Sequence, residues 1–298
     1  MIDYSAVLKI LDQAREMGCI WITLSGGECL IHPYFKDIYK YAFEKGLKVI
    51  VLTNGYNITS EICELFKEMP PFNLDITLYG YNNKTYDEFV GVSGAFDVFK
   101  SKLELLVANR IKFGLKTVLT TNNYKDLQLY IQFAHKYTKQ YRYDTIVIPT
   151  LNGKTNLDLR LNAKTVVEIE EKNPYYVKVA KDAFVSGKKD NRLYKCSGGL
   201  NTICIDPNLN VSYCAISKQD ISFKLDPDNI DISEAHKWLI EQHEHTFLNK
   251  EDKCFDCKYK NLCNYCPARF ALETANNRNP PSWYCDLARL EYEKIKGK

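Results

Sequence analysis

Eight of the eleven cysteines in this 298-residue chain fall between positions 196 and 285. Cys254, Cys257, Cys263 and Cys266 follow the spacing C-x2-C-x5-C-x2-C, Cys285 follows them, and Cys196, Cys204 and Cys214 precede them. Thiolates a few residues apart on a loop can converge on one metal centre, and soft sulfur donors select zinc or an iron–sulfur cluster. Seven or eight cysteines suffice for two such centres, and spacing alone leaves zinc and iron–sulfur open. The opening residues Met1-Ile2-Asp3-Tyr4-Ser5 show no basic segment followed by an apolar one. The expectation is a soluble, cytoplasmic protein in a reducing compartment, where clustered thiols bind metal more often than they pair.

Bulk properties exclude several classes. With 40 Lys+Arg against 37 Asp+Glu and no dense basic run, the chain lacks the footprint of a nucleic-acid binder. No stretch approaches the roughly 20 apolar residues of a membrane span, so no membrane partner is expected. A hydrophobic fraction of 45% with 26% charged residues excludes disorder and allows one large domain, or a large domain with a smaller one.

A second local signal is Ser25-Gly26-Gly27-Glu28, where two glycines allow close backbone approach to a ligand and the carboxylate can accept hydrogen bonds from an amino group. Alone it reads as an ordinary turn between strand and helix. The elements around it raise its weight. Apolar residues at helical spacing over 6–17 precede a short apolar strand at 19–24. The unit recurs as a helix near 34–45 and a strand at 47–53, then a helix near 59–68 and a strand at 73–78. A helix near 96–110, a strand at 113–119, a helix near 125–139 and a strand at 144–148 continue it. Such alternation predicts a parallel sheet whose site residues share the rim at the strands' C-terminal ends. Residues 151–190 read as a charged helical connector, with breaks at Asn173-Pro174 and Ser186-Gly187-Lys188-Lys189. From 191 onward short strands around Pro207-Asn208-Leu209 suggest a hairpin in a small cysteine-held domain. His236, His243 and His245 read as a solvated helix face, since the thiols already suffice as ligands.

Leu24-Ser25-Gly26-Gly27-Glu28-Cys29-Leu30-Ile31-His32-Pro33, Leu52-Thr53-Asn54-Gly55, Asp75-Ile76-Thr77-Leu78-Tyr79-Gly80 and Lys116-Thr117-Val118-Leu119-Thr120-Thr121-Asn122 together resemble the radical S-adenosylmethionine (radical SAM) superfamily. The late cysteines resemble its SPASM extension. The resemblance implies an α/β fold: a partial (β/α)6 TIM-like barrel over 1–150, a connector, and an iron–sulfur SPASM domain over 191–298 with up to two auxiliary [4Fe–4S] clusters. Gly26, Gly27 and Glu28 would contact the amino end of S-adenosylmethionine. Cys254, Cys257, Cys263 and Cys285 would ligate the second auxiliary cluster; Cys196, Cys214 and Cys266 would ligate the first. Cys204 is either its fourth ligand or a small buried thiol between Ile203 and Ile205.

The superfamily's CxxxCxxC loop is not among these 298 residues, and Cys19, Cys29 and Cys63 are too far apart to replace it. The sequence opens at what reads as the barrel's first helix, so the expected barrel lacks its first strand. This chain alone is expected not to cleave S-adenosylmethionine, as an internal or misassigned start of a longer enzyme or as a shortened protein. Smaller departures are Cys29 in place of proline, Leu209 in place of the hairpin glycine, and two rather than three residues between Cys263 and Cys266. The function implied is that of a peptide- or protein-modifying maturase supplied by a ferredoxin or flavodoxin. The alternatives are a non-catalytic iron–sulfur electron-transfer or partner protein, and a zinc-stabilised binding module. No residue reads as the catalytic base.

Overall fold

The computed structural model describes residues 1–151, 156–186, 191–217 and 219–297. The chain divides into two compact units, residues 1–144 with 227–232, and residues 145–226 with 233–298. Among the described residues no helix is long and apolar enough to cross a membrane.

The first unit runs α1 (Tyr4–Glu16), β1 (Trp21–Leu24), α2 (Phe35–Glu44), β2 (Lys48–Thr53), α3 (Ser60–Glu68), β3 (Asn73–Thr77), α4 (Asn83–Val90), α5 (Ala95–Ala108), β4 (Gly114–Val118), α6 (Leu127–Ala134) and β5 (Tyr141–Asp144). The five strands pair in sequence order and all in parallel. Parallel strands require crossovers, which the helices supply, and a sheet built in strict order curls toward a barrel. This is the expected partial barrel. Val49 and Val51 of β2, Leu74 and Ile76 of β3 and Leu115 of β4 are buried in the core with Phe35, Ile38, Tyr39, Phe66, Phe99 and Leu103. Because strand side chains alternate, Thr23, Ile50, Asp75, Lys116 and Arg142 occupy the opposite, concave face. Residues 227–232 belong to this unit through Gln13, whose side chain donates to the Ile230 carbonyl (2.6 Å) and accepts from the Ile232 amide (2.8 Å).

The structure departs from expectation in three places. The last strand is Tyr141–Asp144, not 144–148, because β4 pairs Leu115 with Tyr141 through Val118 with Asp144. The apolar run at 145–148 follows the sheet, with Val147 buried; composition alone does not separate a strand from a buried extended segment. Helix α4 escapes the pattern because its sequence NKTYDEFV buries Tyr86 alone, and a capping box between Asn82 and Thr85 sets its start. Helix α6 ends at Ala134 rather than near 139.

The second unit holds α7 (Ala163–Glu170), α8 (Pro174–Ser186), a sheet of β6 (Cys204–Ile205), β7 (Asn210–Ser212) and β8 (Ser222–Lys224), α9 (Ile232–His245), α10 (Pro267–Thr274) and α11 (Ser282–Lys296). The helical stretch expected as a connector folds with this unit; its break at 187–189 lies outside the described residues. The three strands are antiparallel, and the tight turn before β7 holds Leu209 at φ +59°, where the resemblance noted a usual glycine.

Helices α7 and α11 pack together and carry a carboxyl pair. Burial and the neighbouring Glu170 push Glu291 up to about 8, and burial raises Glu170 against the lowering effect of the Thr145 hydroxyl, which donates to it at 2.6 Å. A carboxyl raised in the folded state holds a proton that the unfolded chain releases. Stability is therefore lost as pH rises from the ordinary glutamate range toward 8. Glu291→Gln should raise stability at pH 8 by about 1–3 kcal/mol and change it little at pH 5, measured by urea unfolding at both pH values.

Candidate cofactor sites

The glycine loop lies at the C-terminal end of β1. Gly26 adopts φ +123°, a conformation that a side chain would strain, and a Cβ at Gly26 or Gly27 would meet no atom within 4 Å. Both are exposed, so the loop offers backbone to a ligand from an open rim. Glu28, half-buried, is already engaged: its Oε1 accepts from the Thr53 hydroxyl (2.7 Å) and the Leu30 amide (3.1 Å), and its Oε2 from the Asn54 amide (2.7 Å). Thr53 in turn accepts from the Gly55 amide at 3.0 Å. The carboxylate thus ties the β1 rim to the β2 rim, and Oε2 keeps lone-pair capacity for a further donor. Tyr79, beyond β3, is raised by burial and also by Glu28, and stacks on half-exposed Phe89 at 5.0 Å. Replacing Glu28 with Ala should speed exchange of the Leu30 and Asn54 amides tenfold or more, about 1.4 kcal/mol of local opening, read by hydrogen exchange. Unchanged protection would mean that the carboxylate does not hold the rim.

The thiols of the first unit serve packing. Cys29 is buried, its Sγ donates to the Leu52 carbonyl at 3.4 Å, and burial with the adjacent Glu28 pushes its pKa up to about 12. Cys63 is fully buried in the helical layer.

The second unit sorts its thiols into two sets. Burial raises Cys254 to about 11, with Cys257 and Cys285 adding to the rise. Burial raises Cys263 strongly, and Cys254, Cys285 and Cys257 add to it. Cys285, in the first turn of α11, is raised by burial and by Cys257. These four act on one another. The other set centres on Cys266, raised by burial and then by Cys214 and Cys196, while the Arg269 amide at the start of α10 lowers it. A helix N-terminus stabilises a thiolate in this way. Cys204 lies opposite Ser212 on the β6–β7 hairpin, so the two share a face two residues before Cys214.

Charge density is what each set of thiolates would carry, and a bound cationic metal centre is what relieves it. Zinc would draw sulfurs to about 2.3 Å from one point. Among the described residues no three His, Cys, Asp or Glu side chains are so gathered. An iron–sulfur cube also takes four thiolates, one at each iron corner, and the number of thiols in each set suits it.

Two aromatic residues and a histidine brace the set of Cys196, Cys214 and Cys266. Tyr213, between Ser212 and Cys214, packs edge-on against Tyr194 and His243 at 4.9 and 5.7 Å. Gly199 must be glycine there, since a Cβ would lie 2.2 Å from the Tyr213 ring. His243 is 1% exposed, contrary to the solvated face expected for it. Its Nε2 lies 3.0 Å from the Cys196 carbonyl, so that nitrogen donates. The overlooked signal is its place one turn after Leu239 and two after Ala235, both buried on α9.

The family model described as Radical SAM superfamily matches residues 2–134. The chain is 28% identical to the AdoMet-dependent heme synthase of Methanosarcina barkeri over 48% of its own length and 41% of that protein's, so the match spans less than half of that relative. It is 23% identical to the AdoMet-dependent heme synthase of Oleidesulfovibrio alaskensis over 87% of its length and 73% of that protein's. Its fold is similar to native anSMEcpe with bound AdoMet and Cp18Cys peptide, with a TM-score of 0.70 and 15% identity, covering 100% of this chain and 90% of that one. The matched segment contains strands β1 to β4 of the parallel sheet and the Gly26-Gly27-Glu28 rim, so it is residues 2–134 that carry the likeness to the radical SAM superfamily.

Proposed function

We propose that this chain is the barrel wall and auxiliary-cluster domain of a radical SAM peptide- or protein-modifying enzyme. The observation that carries the reading is the gathering of seven thiols within one unit, where Cys254, Cys257, Cys263 and Cys285 act on one another and Cys214 and Cys196 act on Cys266. Cys254, Cys257, Cys263 and Cys285 would hold one [4Fe–4S] cluster; Cys196, Cys214 and Cys266, with Cys204 as fourth candidate, the other. The superfamily uses such clusters together with S-adenosylmethionine, and bound clusters supply single-electron transfer. Gly26 and Gly27 offer backbone to the amino end of S-adenosylmethionine, while Glu28 positions that backbone through Thr53 and Asn54. The chain's own work is to hold and orient the groups and to keep water from them. A one-electron donor of the ferredoxin or flavodoxin type completes the scheme.

The bound peptide of the similar structure supports a peptide substrate. The heme synthase match over 87% of the chain favours a second reading, modification of a tetrapyrrole. Comparative mass spectrometry of a host with and without the gene separates them. The first reading predicts a peptide that is lighter by two hydrogens for each crosslink only when the gene is present, with tetrapyrroles unchanged. An altered tetrapyrrole profile with unaltered peptides would replace the first reading by the second.

A further inference from the structure

Arg142 of β5 and Asp75 of β3 pair across the intervening strand β4, with Nη2 to Oδ2 at 2.6 Å. Strands two apart are separated by about 10 Å, so the pair forms only where β4 leaves room. Gly114 of β4 is the residue opposite Asp75, and a Cβ there would lie 3.1 Å from Asp75 Oδ1. The two partners differ sharply in exposure: the Asp75 side chain is 9% exposed and that of Arg142 is 61% exposed. A buried carboxylate therefore fixes one edge of a guanidinium whose remaining N–H groups face outward. Lys116, next to Arg142 in the register, is half-buried on the same face. Among the described residues no oxygen accepts a hydrogen bond from its ammonium. Burial lowers its pKa and Arg142 adds to the lowering, against Asp75 and Asp144.

We propose that Arg142, with Lys116 beside it, is a binding site for a carboxylate of the substrate on the concave face of the sheet. An arginine fork held on one edge presents parallel donors that match the two oxygens of a carboxylate. Asp75 and Gly114 are positioning residues for it. The proposal deepens the reading of this chain as the barrel wall of a peptide- or protein-modifying enzyme and rests on that reading.

The test follows the Arg142 Nε–H resonance of the reconstituted chain by NMR while N-acetylglutamate amide, its uncharged analogue N-acetylglutamine amide, or S-adenosylmethionine is added. The expected result is a saturable shift with the glutamate compound, at least tenfold weaker with the glutamine analogue, and none at exposed Arg289. By isothermal titration calorimetry with the same compounds, Arg142→Gln should abolish the binding and Arg142→Lys weaken it about tenfold. Gly114→Ala, which leaves the arginine in place, should weaken it severalfold. Equal response to both amides, or binding that survives Arg142→Gln, would overturn the site while leaving the peptide reading intact. A shift with S-adenosylmethionine and none with the glutamate compound would confirm the carboxylate chemistry and overturn its assignment to the substrate.

Discussion

Stripping iron from the folded protein is expected to unfold residues 145–226 and 233–298 while the five-stranded sheet persists. Residues 249–266 contribute four of the proposed ligands and contain no helix or strand. They are held by isolated turn bonds such as Phe255 to Asp252 and Cys263 to Tyr259. In that segment only Cys254 and Leu262 are buried, too little apolar surface to order 18 residues. A metal centre must supply the difference; structural metal binding is worth about 10–16 kcal/mol, as much as a whole domain's net stability. Limited proteolysis after chelation under oxidising conditions should cut first within 249–266 and leave a fragment containing 1–144. Cleavage that begins in the barrel strands, or a second unit indifferent to iron loss, would contradict the assignment.

The second large effect is expected at Arg160 and Glu273, 5% and 6% exposed, which form a two-point pair at 2.6 and 3.0 Å. Arg160 Nε donates to the Val147 carbonyl at 2.6 Å, its guanidinium lies over the rings of Trp283 and Tyr284, and Tyr284 donates to Glu273 at 3.2 Å. The pair thus joins the segment after β5, α10 and α11 within the second unit. Glu273→Gln leaves a buried guanidinium without its counter-charge and should cost about 3–5 kcal/mol. Replacing both partners with methionine should restore most of that loss, because both desolvation costs vanish together. Urea unfolding of the reconstituted protein reads both changes. A Glu273→Gln loss below about 1 kcal/mol would show that the pair is not desolvated as its burial implies.

These two features stood differently in the sequence. The cysteine spacing announces metal chemistry because ligands close in sequence must be close in space. The partition of Cys266 away from its neighbours Cys254, Cys257 and Cys263 came with the resemblance, and the structure groups it with Cys196 and Cys214. The parallel sheet was legible from apolar runs alternating with amphipathic helices. The placement of β5 was not, because the run at 145–148 is more apolar than Tyr141–Asp144, a four-residue strand with no fully buried residue. Arg160 and Glu273 are 113 residues apart, and Asp75 and Arg142 are 67 apart. Nothing local marks either pair, since the partner that makes each charge tolerable is supplied by tertiary folding. His243 was misread for a related reason: a polar residue in a charged helix reads as solvated until its place in the buried row with Ala235 and Leu239 is weighed.

The central claim is that two separate iron–sulfur clusters occupy the second unit, and it is tested most directly by iron and sulfide content with Mössbauer spectra of the reconstituted chain. About eight irons and eight sulfides per chain are predicted, with Cys263→Ala and Cys266→Ala each falling to about four. Stoichiometric zinc with little iron, or iron content untouched by either substitution, would contradict it.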